Sequence, residues 1–117
     1  MGMKFDVPIA LGRGMNGREH HMQRARRVRR EREAVAWALF VGKPPKGRVR
    51  VTLTRLMAGK GLDGDNLQGS CKGPRDQVAQ WLGRDDADPS IEWVYAQGVA
   101  PPKKGALRIE VESLPCE

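Results

Sequence analysis

Three stretches of this chain alternate apolar and polar positions with a period of two. Val49, Val51 and Leu53 fall on one side, with Arg48, Arg50, Thr52 and Thr54 on the other. Ile91, Trp93 and Tyr95 repeat the pattern, and Leu107, Ile109 and Val111 alternate with Arg108, Glu110 and Glu112. Successive side chains of a strand point to opposite faces, so each stretch predicts a strand with one covered face and one wet face. A weaker fourth strand is predicted from Lys4 to Leu11, where Pro8 lacks a backbone donor and so favours a sheet edge over its centre.

An apolar sheet face needs a cover, and two segments carry helical spacing. Met22, Ala25, Val28, Val35 and Leu39 fall near one stripe between Glu19 and Phe40. A second helix is predicted from Asp65 or Asn66 toward Leu82, with Leu67, Cys71, Val78, Trp81 and Leu82 at helical spacings. Asp65 and Asn66 are N-cap candidates, and Gly83 is placed to end the helix. Gly69, Gly73 and Pro74 interrupt the segment, so Pro74 either kinks it near Gly73 or opens a shorter helix. The lysine- and proline-containing connection 100–105 reads as a hairpin loop between two strands, and the glycine-rich residues 12–18 as a mobile loop. Trp37, Trp81 and Trp93 lie on or beside apolar stripes, which predicts core packing rather than base stacking. The pattern as a whole predicts one domain over residues 1–117, of α/β (α+β) class. In it a mixed sheet of about four strands is covered by two main helices.

Charge narrows the possible partners. Lysine and arginine total 21 against 14 acidic residues, giving a net charge of +7 and a sequence pI near 10.0. Such a balance favours binding to a polyanion, and no lipid-anchoring feature points to a membrane. The longest mostly apolar stretch, residues 34–41, is far short of a membrane span, and the N-terminus lacks a secretory signal, so a cytoplasmic protein is expected. Cys71 and Cys116 form no zinc spacing and are expected to stay reduced. His20 and His21 are the only histidines and read as surface or capping residues, which excludes a histidine-rich metal site. No organic cofactor is expected. Oxygen ligands remain, and they suit Mg2+ or Mn2+.

The acidic residues cluster against this basic background. Asp63-Gly64-Asp65-Asn66-Leu67 is followed by Asp85-Asp86. Clustered carboxylates repel one another, and divalent cations would neutralise them while the basic surface holds a polyanion; that pairing points to metal-dependent chemistry on nucleic-acid phosphates. Helix capping by Asp65-Asn66 and turn formation by residues 85–89 are the plain alternatives. In an extended segment Asp63 and Asp65 would share a side. A helix of about 16 residues spans roughly 24 Å. Its two acidic ends therefore approach only if the Asp85-Asp86 turn folds back or the Gly73-Pro74 break shortens the path.

Arg24, Arg26, Arg27, Arg29, Arg30 and Arg32 crowd one predicted helix. They cannot share one narrow face, so some must reach solvent or DNA phosphates, although Glu19, Glu31 and Glu33 also permit a charged, solvated helix. Lys60, Lys72, Lys103 and Lys104 extend the candidate DNA-binding set. Asp76 stands four residues after Lys72, where an ion pair along the helix is the plain expectation.

Asp63-x-Asp65-Asn66-Leu67, then Lys72, Asp76 and Asp85-Asp86, resembles the signature of the RusA family of Holliday junction resolvases, small endonucleases common in phages and prophages. The order of predicted elements matches as well. The resemblance implies a homodimer that binds four-way DNA junctions and makes paired, magnesium-dependent nicks. It implies catalytic and metal-binding roles for Asp63, Asp65 and Asp86, with Asp85 as a second candidate ligand, and places Lys72 at the active site. Two departures stand out. Lys72 lies three residues further from the acidic pair than in the best-known member, and the family's proline- and asparagine-rich N-terminal loop is reduced to Gly14-Met15-Asn16. A non-catalytic DNA-binding protein of the same fold is the chief alternative, and a small basic assembly protein is the third.

Overall fold

The computed structural model describes residues 2–12 and 21–115. In chain order the elements are β1 (Gly2–Val7), α1 (His21–Leu39), β2 (Val49–Met57), α2 (Gly64–Ser70), α3 (Lys72–Leu82), β3 (Ile91–Val99) and β4 (Ala106–Ser113). The four strands form a mixed sheet in the order β1-β4-β2-β3, so the α+β reading holds. β4 runs antiparallel to both β1 and β2, whereas β2 and β3 are parallel, with Val49 opposite Ile91 and Met57 opposite Val99.

The period-two pattern assigned the faces correctly. Val49, Val51, Leu53, Leu107, Ile109 and Val111 are all buried on the covered face, with Phe5, Val7 and Ile91 beside them. Val35 and Leu39 of α1, Leu67 of α2, and Val78 and Leu82 of α3 close this core from above. Each large side chain withdrawn from water here contributes about 1.5–3 kcal/mol. On the opposite face the charges are paired across strands: Arg50 bridges Glu92 at 2.7 Å and Glu112 at 3.7 Å, and Arg108 bridges Asp6 at 3.1 Å.

The pattern did not assign neighbours. Residues 100–105 do not close a hairpin, because β2 lies between β3 and β4. Alternation says which side of a strand is covered, not which strand lies beside it. The connection instead passes the C-terminal end of β2, where Ala100 N donates to Met57 O at 3.1 Å. β1 is an edge strand as expected, but it ends at Val7, before Pro8.

Two helical expectations change. On α1 only Glu31, Val35 and Leu39 are buried, and Met22 is 54% exposed, so the predicted stripe holds only in the C-terminal half. Trp37 is not a core residue: it is 77% exposed and lies against Phe40, with ring centroids 6.4 Å apart. It stands two positions from both Val35 and Leu39, which turns it about 200° away from the buried side. Trp81 and Trp93 do pack against the core, Trp81 edge-on to Phe5 at 5.7 Å.

The second helical segment is two helices. Cys71 ends α2 and begins α3, and Pro74 falls in the first turn of α3, where a missing N–H breaks no intrahelical bond. Gly83 ends α3 at φ 73°, with Gly83 N donating to Gln80 O and Arg84 N to Ala79 O at 3.0 Å each. Most residues of the 12–18 stretch, and with them Gly14-Met15-Asn16 and His20, lie outside the described residues.

Candidate functional site

The parallel pairing of β2 and β3 requires a crossover, and the candidate carboxylates Asp63, Asp65, Asp85 and Asp86 all lie on it. The first acidic segment leaves the C-terminal end of β2. Asp63 is the N-cap of α2: its backbone is extended (φ −70°, ψ 172°), and its Oδ1 accepts from Asn66 N and from Asn66 Nδ2, both at 3.0 Å. No described bond falls on Oδ2. Asp65 occupies the first helical turn, where its negative charge suits the positive end of the helix. Asp63 and Asp65 therefore straddle a helix start, and the alternation of an extended segment does not govern their side chains. Asp63, rather than Asp65 or Asn66, provides the cap.

The second acidic segment folds back. Asp86 follows the end of α3, yet its Oδ2 accepts from Arg75 Nε at 3.1 Å, and Arg75 stands in the first turns of that helix. Arg75 Nη2 donates to the Asp86 carbonyl at 3.1 Å, and Trp93 Nε1 donates to the same carbonyl at 2.9 Å. Arg75 Nη1 reaches the Tyr95 hydroxyl at 2.6 Å, and its guanidinium lies over the Trp93 ring, 4.8 Å from the centroid. Burial alone would lower the Arg75 pKa, but the Tyr95 hydroxyl and the Asp86 carboxylate together hold it above its ordinary value. Asp85 behaves differently. Its Oδ1 accepts from Ala87 N at 2.8 Å, so it shapes the turn, while Asp86 is directed at the helix and the sheet.

One strand holds both segments. On β3 the side chains of Trp93, Tyr95 and Gln97 share a face, since they alternate in register. Trp93 holds the Asp86 carbonyl. Gln97 holds the residue before Asp63: Leu62 N donates to Gln97 Oε1 at 2.9 Å, and Gln97 Nε2 donates to Leu62 O at 2.7 Å. Arg75 and Gln97 were missed by the sequence reading. Arg75 was one cation among 21, and only its coincidence with a returning turn gives it meaning. Gln97 continues the Ile91-Trp93-Tyr95 alternation as a polar residue, which was the available signal.

Lys72 begins α3, is 76% exposed, and pairs with Asp76 at 3.9 Å, the plain helical ion pair. Lys60, Lys103 and Lys104 lie in the two connections that leave the C-terminal ends of β2 and β3, the end from which Asp63 and Asp65 emerge. On α1, Arg24, Arg26, Arg29 and Arg30 are exposed. Arg27 is turned inward to Glu31 at 2.9 Å, and Arg32 donates to Gln77 and Gln80 of α3. His21, Arg24, Arg29 and Arg32 line an open groove of about 590 Å³ beside Gln77.

Two buried charges lie within the core. Glu31, 1% exposed, accepts from Arg27 and from Gly12 N at 3.1 Å, both on Oε2, and Arg55, 5% exposed, continues the covered face of β2 beyond Leu53. Burial pushes the Cys71 thiol up to about 11, against partial relief from the Ser70 hydroxyl and from Arg55.

Among the described residues, no three histidine, cysteine, aspartate or glutamate side chains converge on a point where one metal ion would sit. The donor set is nonetheless of the right kind for magnesium, which is commonly held by one or two carboxylates with waters and substrate phosphates filling the remaining positions. Among the described residues, no helix is long and apolar enough to cross a membrane. In comparisons with known proteins, no family model and no curated protein matches the chain.

Proposed function

We propose that this protein is a magnesium-dependent endodeoxyribonuclease that resolves four-way DNA junctions by paired nicks, acting as a homodimer. The observation that carries the reading is the tethering of both acidic segments, Asp63-Asp65 and Asp86, to one face of β3. One or two of Asp63, Asp65 and Asp86 would hold the metal, with waters and substrate phosphate oxygens completing its shell, and with Mn2+ as a substitute ion. A bound magnesium supplies an activated water and relieves charge on the scissile phosphate and the leaving oxygen. Lys72, exposed at the start of α3, is placed to leave Asp76 for a phosphate oxygen. Exposed Arg24, Arg26, Arg29 and Arg30, with Lys60, Lys103 and Lys104, supply cationic contacts that position a duplex without reading its sequence.

The homodimer is supported by the exposed cluster of Trp37, Phe40 and Val41, which are 77%, 79% and 85% exposed at the C-terminal end of α1. Large apolar groups gathered at one place on a surface mark a contact site. A two-fold dimer would present two acidic sites to the two strands of a junction that are nicked.

A second reading is a DNA-binding protein of the same fold without turnover. It is favoured by the lack of three converging ligands among the described residues. Incubating a labelled synthetic four-way junction with the protein, with magnesium or with chelator, and beside Asp65→Asn, separates the two. Paired symmetric nicks that need both magnesium and Asp65 support the resolvase. Tight junction binding without nicks in magnesium or manganese overturns it in favour of the binding protein. Equal competition by linear duplex overturns junction selectivity.

A further inference from the structure

We propose that Arg75 is a positioning residue for Asp86, gripping its main chain and one carboxylate oxygen so that the other oxygen, Oδ1, is held ready as a metal ligand. This rests on the endonuclease reading and adds a residue to it. The geometry is that of a guanidinium fork: Nε takes Asp86 Oδ2 and the adjacent Nη2 takes the Asp86 carbonyl, each at 3.1 Å. The remaining nitrogen, Nη1, is anchored on Tyr95 at 2.6 Å, and the cationic plane rests over Trp93 at 4.8 Å. Trp93 adds its own bond to the same carbonyl at 2.9 Å. Thus the orientation of Asp86 is fixed from two elements, α3 and β3, rather than by its own turn.

A lysine cannot reproduce this arrangement, since it offers a point charge without the planar fork that makes two parallel bonds. A turn clamp of purely structural value is present for comparison. Arg84 lies just before the same turn and donates to Gly47 O, Pro45 O and Ser90 Oγ without touching Asp86.

The test is Mn2+ binding by the full chain, followed by electron paramagnetic resonance without DNA, in wild type, Arg75→Lys, Trp93→Phe and Arg84→Ala. Thermal melts run alongside confirm that each variant folds. Partners that orient a ligand typically change metal affinity by about 10–100-fold when removed. Arg75→Lys is expected to weaken Mn2+ binding by at least about tenfold, Trp93→Phe by less, and Arg84→Ala not at all even where it lowers the melting temperature. Mn2+ binding by Arg75→Lys as tight as or tighter than wild type overturns the positioning role. So does an equal loss in Arg84→Ala, which would make both residues simple turn clamps. If wild type itself binds no Mn2+, the metal-dependent reading fails and this proposal fails with it.

Discussion

Replacing Gln97 by alanine isolates the tether on the first acidic segment. Its side-chain amide makes two bonds, both to the main chain of Leu62, at 2.9 and 2.7 Å. A neutral hydrogen bond contributes about 0.5–1.5 kcal/mol net. The tether is exposed to water, so the lower part of that range applies, and the pair together contributes about 1–2 kcal/mol. This free energy resists local opening of the connection that delivers Asp63. Each 1.4 kcal/mol is about a factor of ten in an equilibrium constant, so the Leu62 amide in Gln97→Ala should exchange with solvent roughly 5–30-fold faster. Amides in the centre of β2 and β4 should be unaffected beyond the change in global stability. Amide exchange followed by NMR, with a urea melt for the global value, reads both quantities. Gln97→Glu retains an acceptor for Leu62 N–H but sets a carboxylate against Leu62 O, so it should behave nearly as badly as alanine. Leu62 exchange within about twofold of wild type, or uniform acceleration throughout the chain, would refute the idea that Gln97 holds this loop.

Three further outcomes are expected. Glu31→Ala removes the acceptor shared by Arg27 and Gly12 N inside the fold, and should cost about 2–3 kcal/mol in urea unfolding, since Arg27 can partly return to water. Cys71, examined in a Cys116→Ser background, should not react with a thiol reagent at neutral pH until the protein unfolds. Its unfolded thiol titrates near 9.0 while the folded one is pushed up to about 11, so the Cys71 contribution to stability is intact below pH 9.0 and is lost as pH rises toward 11. That loss should reach about 1.4 kcal/mol per pH unit within the window and vanish in Cys71→Ala. Trp37→Ala combined with Phe40→Ala should leave the unfolding stability of the monomer within about 0.5 kcal/mol per site, while sedimentation should show the proposed dimer shifting to monomer; a dimer unchanged by the substitutions would rule out this patch as its interface.

How far the structure was legible in the sequence depended on what kind of question each residue answered. Val49, Val51 and Leu53 revealed a covered strand face because a period of two is imposed by the pleat itself. Nothing local could reveal that β4 lies between β1 and β2, since strand order depends on which faces and edges find each other in three dimensions. Helix α1 was legible in extent, but Trp37 was assigned to its core side because hydrophobicity was read without its phase; a 200° offset from Val35 and Leu39 decides the matter. The division at Cys71 was signalled by Gly73 and Pro74, although neither sits at the break. At the candidate site, the carboxylates were found by type and clustering, and Asp63 proved to be a helix cap as well. Arg75 and Gln97 were not found, because their partners lie 11 and 35 residues away in sequence, and only folding brings them together.

The grip of β3 falls mainly on main-chain atoms: the amide and carbonyl of Leu62 and the carbonyl of Asp86. Such bonds are indifferent to which side chains the gripped segments carry. The scaffold that sets the distance between the two acidic segments is therefore separable from the chemistry displayed on them. A lineage could exchange Asp65 or Asp86 for asparagine, or for a residue with another reactivity, and inherit the same spacing intact. The frame can thus stay the same while the chemistry displayed on it changes.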